Sequence, residues 1–138
     1  MHKARLFALI PLCLAASAPS AAPNMQSGLW EITTQANMPG MPAGMSMPAI
    51  TLQHCFSEQD VQQSRALQPQ QGDCRITDLQ ENGNQVSWTL ECAGPQPMSV
   101  RGTGTFNGDS YQVSNSMNMH GGPSMTAEVQ GRRIGACP

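Results

Sequence analysis

Lysine is all but missing from this chain, and Lys3 is the one it has. Beyond residue 5 the cationic side chains are five arginines, set against nine aspartates and glutamates, a net charge of −4 over that part. A lysine-free, mildly acidic surface offers no electrostatic footprint for nucleic acid or for an anionic membrane. Aromatic residues are scarce as well, six in 138, so any interior has to be thin and largely aliphatic. No apolar run reaches the roughly 20 residues that a membrane-spanning helix needs. Catalytic signatures are missing too. There is no G-x-S-x-G elbow, and no His clusters with Asp as the activation of a Ser or Thr nucleophile would require. Gly102-Thr103-Gly104 lies in a strand-like stretch with no helix behind it, which excludes a phosphate loop and implies a bend or close packing. An enzyme is not expected.

What is present begins at the N-terminus. Lys3 and Arg5 precede a compact apolar run at 6–14, and small residues fill 15–22. A basic start, an apolar middle and a small-residue end form the three-part pattern of a secretory signal. Cys13 lies within the apolar run after Leu12 rather than after a small residue, which argues against a lipoprotein anchor. The expectation is a signal peptide at 1–22, a single β-rich domain at 23–138 and a periplasmic location. A length near 115 residues suits one domain with a modest core.

Cys55, Cys74, Cys92 and Cys137 remain in that domain. An even number of cysteines in an exported chain reads as two disulfides. Zinc is the competing reading, but no pair has the C-x-x-C spacing of a structural zinc site.

Alternating apolar residues mark strands at 28–36, 50–56, 74–81, 85–92, 98–106, 111–119 and 124–133. Asn82-Gly83-Asn84 and Asn107-Gly108-Asp109-Ser110 punctuate two hairpins. One helix is expected after Ser57, a good N-cap with Asp60 at the capping-box position and Phe56 and Val61 as a hydrophobic staple. The fold class is therefore mainly β (α+β), a curved antiparallel meander of roughly seven strands with one short capped helix. In the first hairpin, Cys74 and Cys92 share the buried face only in an even register, which a three-residue loop supplies and a two-residue turn does not. Of the three possible pairings this favours Cys74–Cys92 and, by elimination, Cys55–Cys137.

The distinctive chemistry is thioether sulfur. Met38, Met41, Met45 and Met47 stand in a loop that Pro39, Pro42, Pro48, Gly40 and Gly44 keep from being helix or inner strand. Met117, Met119 and Met125 lie around the last hairpin, with His120 next to Met119. Val113, Met117 and Met119 share a strand face, and Met125, Ala127 and Val129 are placed opposite them. Methionine can simply fill gaps in a core short of aromatics, and it can equally line an adaptable surface for an apolar ligand or a protein partner. A third use is soft-metal binding, since thioethers suit Cu(I) and a histidine can add a nitrogen ligand. Exposed methionines can also act as sacrificial oxidant traps. The function expected is a non-enzymatic, monomeric binding module without a cofactor, engaging an apolar or amphipathic ligand or a protein through Met38, Met41, Met45, Met47, Met117, Met119 and Met125. The alternative is a copper(I) protein using Met38, Met41, Met45, Met47 and His120. His54 follows Ile50 and Leu52 on one strand face and reads as a satisfied core histidine.

Several short motifs together resemble one known family. They are Gly28-Leu29-Trp30-Glu31-Ile32-Thr33-Thr34, the Met-Pro-Gly-Met loop, Cys55 before a capped helix, Gly72-Asp73-Cys74, Val86-Ser87-Trp88 and the closing Gly131-Arg132-Arg133-Ile134-Gly135-Ala136-Cys137-Pro138. The combination is similar to the bacterial exported family catalogued as domain of unknown function number thirty-six seventeen. The resemblance covers the whole chain after the signal segment. It implies a periplasmic location and a recurrent Met-rich loop, and it assigns no catalytic residue. Gly28-x-Trp30 also resembles the opening of the first strand in lipocalin-type barrels, although the rest of that pattern is absent.

Overall fold

The computed structural model describes residues 23–42, 47–67 and 73–138. The expected signal segment, Met45 and the loop at 68–72 lie outside the described residues. The elements in chain order are β1 (Gly28–Asn37), β2 (Ile50–Phe56), α1 (Glu58–Gln62), a 3-10 turn (Arg65–Leu67), β3 (Asp73–Asn82), β4 (Gln85–Ala93), β5 (Met98–Phe106), β6 (Ser110–Met119) and β7 (Ser124–Gly135). They build one seven-stranded sheet in the order β2-β1-β7-β6-β5-β4-β3, with every pairing antiparallel. The expected meander holds from β3 to β7. β1 then closes against β7, and β2 forms the edge beyond it. The connection from β2 to β3 therefore runs from one edge of the sheet to the other, and it carries α1 and the 3-10 turn.

The central strands divide by period two. The inner side receives Trp30 and Ile32, then Val86, Trp88 and Leu90, Val100 and Phe106, Tyr111 and Val113, and Ala127 and Val129. The outer side carries polar cross-strand pairs: Thr33 with Thr51 at 2.9 Å, Ser114 donating to Glu128 at 2.7 Å, Ser99 donating to Glu91 at 3.0 Å, and Arg132 with Glu31 at 2.8 Å. Such exposed pairs contribute at most about 1 kcal/mol each. Their value here is to hold register.

The sheet is curved. β2 and β4 stand five strand positions apart, about 24 Å in a flat sheet at 4.8 Å per step, yet Leu52 of β2 and Leu90 of β4 line one cavity. At one end of the concave side Trp30, Phe56, Phe106 and Tyr111 fill the interior, with ring centroids 5.3 Å apart for Trp30–Tyr111 and 5.4 Å for Phe106–Tyr111. Two aromatic side chains lie across glycines of the neighbouring strand. A Cβ at Gly102 would collide with Trp88, and one at Gly131 would collide with Tyr111. The close packing expected around Gly102 is this contact.

The first hairpin reaches the expected pairing by another route. Asn82 pairs with Gln85 across the two-residue turn Gly83–Asn84, with Gly83 at φ 62°, the positive value that a primed turn needs at its first central position. A two-residue turn alone would have put Cys74 and Cys92 on opposite faces. A β-bulge at Thr77, between Ile76 and Asp78, adds one residue to β3 and restores the register, so Cys74 stands opposite Cys92. The expected three-residue loop is thus replaced by a turn plus a bulge.

Both disulfides pair as expected, Cys74–Cys92 and Cys55–Cys137. The second ties the tail after β7 across β1 to the edge strand β2. The helix start is also as expected. Ser57 accepts from the Asp60 N–H at 3.1 Å, and the Asp60 carboxylate accepts from the Ser57 N–H at 2.9 Å. The Ser57 hydroxyl also donates to the Asp60 carboxylate at 2.7 Å, and this bond first, with the Ser57 N–H second, holds the Asp60 carboxyl below its ordinary pKa. The cap fixes where α1 leaves β2, which lays Ala66 and Leu67 of the 3-10 turn over the concave side.

Candidate functional site: an apolar cleft with two orphan polar groups

The concave side is only partly filled. Beyond the aromatic end lies a cavity of about 270 Å³, walled by Ile32, Leu52, Leu90, Val100, Val113 and Val129 and roofed by Ala66 and Leu67. For scale, a dry apolar cavity of about 150 Å³ accommodates benzene. Among the described residues no arginine, aspartate or glutamate lines it. His54 is half-buried on its wall, edge-on to Phe56 at 4.5 Å between ring centroids, so the expected core histidine is a cavity residue. Tyr111 also borders it. Burial pushes the Tyr111 phenol up to about 12, so the hydroxyl is neutral throughout the physiological range.

Two buried polar atoms of residues that border it make no hydrogen bond with the described residues: Trp88 Nε1 and Asn115 Oδ1. Both atoms are buried, and Trp88 as a whole is 3% exposed. They are neighbours across the sheet, because Gly102 pairs with Trp88 on β4 and with Asn115 on β6, and a Cβ at Gly102 would collide with both side chains. A buried donor or acceptor left without a partner costs about 1–3 kcal/mol. One is a donor and the other an acceptor.

The methionines divide into two groups. Met117 lines the cavity, and Met98 does so too. Met119 and Met125 share their face: Met117 pairs with Met125, Val100 with Met117, and Met98 with Met119. The placement of Met125, Ala127 and Val129 opposite the β6 residues holds. With Cys92 paired to Met98 and Cys74 to Cys92, a row of sulfur crosses β3 to β6 at this end of the sheet. The loop methionines are placed differently. Met38 and Met41 are exposed and Met47 is half-buried, and none of them lines the cavity. The loop does leave from the same end, since Asn37 pairs with Thr126 beside Met125. His120 is exposed in the β6–β7 turn, where its N–H donates to the Pro97 carbonyl at 3.2 Å. Among the described residues no three His, Cys, Asp or Glu side chains are grouped as a metal site would need.

Met98, Trp88 and Asn115 were not among the sequence-derived site residues. Met98 could have been found from its parity with Val100. Asn115 stands between Val113 and Met117 on the buried parity of β6, and a polar residue at such a position is itself a signal. Trp88 reads as plain core, and only the structure shows that its indole nitrogen has no partner. A larger hollow of about 480 Å³ involves outer-side residues such as Thr103, Gln112 and Ser114. Its lining is largely hydroxyls and amides already open to solvent, so burial there would gain little.

Among the described residues no helix is long and apolar enough to cross a membrane. Neither curated proteins nor solved structures include a match to the chain. A family model does match, from the buried Met25 to the cysteine that ties down β2: residues 25–137 fit the family described as protein of unknown function (DUF3617), and the chain belongs to it.

Proposed function

We propose that this domain is a non-enzymatic binding module of the periplasm, holding a small apolar or amphipathic ligand in the concave cleft. The observation that carries this reading is the apolar cavity itself, built from both halves of a curved sheet and roofed by the segment that crosses between its edges. Entry is from the methionine end. The opposite end is filled by Trp30, Phe56, Phe106 and Tyr111, whereas Met98, Met117, Met119 and Met125 are half-buried. Flexible thioethers suit a mouth that must fit ligands of varied shape. Two disulfides, together with a signal-like N-terminus, support an oxidising, exported setting. The test is displacement of a fluorescent apolar dye from the oxidised protein by medium-chain alkyl compounds. Saturable one-to-one displacement, weakened when Val129→Phe narrows the cleft, is the expected result. Dye binding that alkyl compounds leave unchanged refutes the reading.

A second reading has one specific observation in its favour. Met98, Met119, Met117 and Met125 are contiguous across three strands, and clustered thioethers are soft ligands suited to Cu(I). A competition titration with a Cu(I) chelator decides it. An affinity that the double change Met117→Leu and Met125→Leu leaves intact removes strand-bound copper, and the same change in Met38 and Met41 tests the loop.

A further inference from the structure

We propose that β2 is a docking edge for a second copy of this chain, so that two sheets join through antiparallel β2–β2 pairing centred on Leu52. The inference goes beyond the ligand-binding reading and does not depend on it. It puts a weak homodimer in place of the monomer expected from the sequence. An open sheet has two edge strands, and the unpaired backbone groups along an edge are a template for another strand. The two edges here are built differently. β3 carries Asp73, Arg75, Asp78 and Glu81 and is bent by the bulge at Thr77, devices that keep an edge from pairing. β2 has no charged residue and no proline, and it pairs with β1 without a register shift. Ile50, Thr51, Leu52 and Gln53 are all exposed. Ile50 is 63% exposed and Leu52 49%, and with Met38 and Met41 of the loop that leads into β2 they make four of the five exposed large apolar side chains among the described residues. Apolar exposure gathered on one element marks an interaction surface.

Charge and register identify the occupant. Residues 32–57 contain no Asp, Glu, Lys or Arg, so this edge offers a foreign partner no charge to complement. Two copies of a net-negative chain repel over much of their surface, and along this edge they can meet without opposing like charges. Paired residues of an antiparallel ladder point to the same side of the sheet. A twofold axis at Leu52 therefore sets Leu52 against the partner's Leu52, and Ile50 against the partner's His54, on the concave side. Thr51 meets the partner's Gln53 on the outer side. Past His54 the strand is already engaged, since Cys55 is bridged to Cys137 and Cys137 Sγ lies 3.9 Å from the Phe56 carbonyl. Such a contact is isologous and closes as a dimer. Head-to-tail addition of β2 to β3, which would grow a fibre, is opposed by the charges of β3. A seam over residues 50–54 is short, so the association belongs with the weak, reversible class below roughly 1,200 Å².

Sedimentation velocity of the oxidised protein, over about a hundredfold range of concentration, reads the association directly. The expected result is a monomer–dimer equilibrium with no larger species. Leu52→Lys and Leu52→Glu should each weaken it by about tenfold or more, because like charges then face each other on the axis. An equimolar mixture of the two variants should recover the dimer as a mixed pair. Gln80→Lys, which puts the same charge on β3, should leave association unchanged. Thr51→Lys, exposed and off the cavity wall, should also weaken the dimer, and it takes the place of any Leu52 variant whose thermal melt departs from the parent's. A parent protein that stays monomeric at every concentration overturns the proposal. So does a dimer that the Leu52 and Thr51 variants leave intact, or a mixture of well-folded Leu52 variants that stays monomeric.

Discussion

Gly102→Ala tests the packing on which the site depends. In a strand interior this change is ordinarily favourable, because glycine carries an entropic cost of roughly 0.5–1 kcal/mol relative to alanine. At Gly102 the added methyl would meet Trp88 Cε2 and Cζ2 and, at 2.7 Å, Asn115 Oδ1. Trp88 is 3% exposed and has little room to retreat. Overpacking of this kind costs about 1–3 kcal/mol. After the alanine gain, the net expectation is a loss of about 1–2 kcal/mol, a fall in Tm of roughly 4–10 °C for a domain of this size. Gly135→Ala is the internal control, because nothing lies within 4 Å of its added Cβ, and it should be neutral or slightly stabilising. Urea denaturation followed by tryptophan fluorescence gives both free energies, and adding Trp88→Phe completes a double-mutant cycle. The smaller ring should recover at least about 0.5 kcal/mol of the Gly102→Ala loss. A Gly102→Ala protein as stable as the parent, or strict additivity in the cycle, would show that the indole does not rest on this glycine.

Three further outcomes are expected. Replacing Cys55 and Cys137 by serine should cost about 4.5 kcal/mol and replacing Cys74 and Cys92 about 3 kcal/mol by loop-closure entropy, since the bridges span 82 and 18 residues; equal losses in denaturant midpoints would contradict that ordering. Tyr111 holds its proton in the folded state up to about 12, whereas an unfolded phenol releases it near pH 10. Its contribution is therefore intact below about pH 10 and lost as pH climbs toward 12, by roughly 2–3 kcal/mol in all, and Tyr111→Phe should flatten that part of the stability profile. Asn115→Leu should raise the unfolding free energy of the ligand-free protein by roughly 1–2 kcal/mol, because it removes a buried acceptor that has no partner. A loss of stability there would mean that the amide is satisfied.

The sheet was legible because most of its strands alternate. Val86, Trp88, Leu90 and Cys92 announce an inner face by period two, and the glycine- and asparagine-rich turns mark where each ribbon folds back. The disulfide pairing was legible for the same reason, yet the route to it was not. A bulge at Thr77 leaves no signature in side-chain type, and it exchanges a three-residue loop for a two-residue turn at no cost to the inner face. The order of the edges was also hidden. Nothing in residues 50–56 says whether β2 lies beside β3, its successor, or at the far edge, because hydrophobic pattern fixes which face is buried and not which neighbour a strand takes. Methionine was an equally partial guide. Abundance drew attention to the loop at 38–47 and to the last hairpin; of those residues Met117 lines the cavity, and Met98, a lone methionine in β5, lines it too.

The scarcity that opens the sequence also explains the cleft. Five aromatic residues follow the signal-like segment, and Trp30, Phe56, Phe106 and Tyr111 are gathered at one end. A curved sheet needs bulk along its whole concave side, and past Trp88 the chain supplies only aliphatic residues, thioethers and one amide. What is left is a void bordered by two residues with unpartnered buried polar atoms, and both features lower stability. Most substitutions that filled the void with larger apolar side chains, or replaced Asn115 by leucine, would give a firmer domain. The two cross-links offset that weakness without occupying the space, since one ties the edge strand β2 from the tail and the other joins β3 to β4 at the sheet's opposite edge. Stability is thus supplied at the margins of the sheet rather than in its middle.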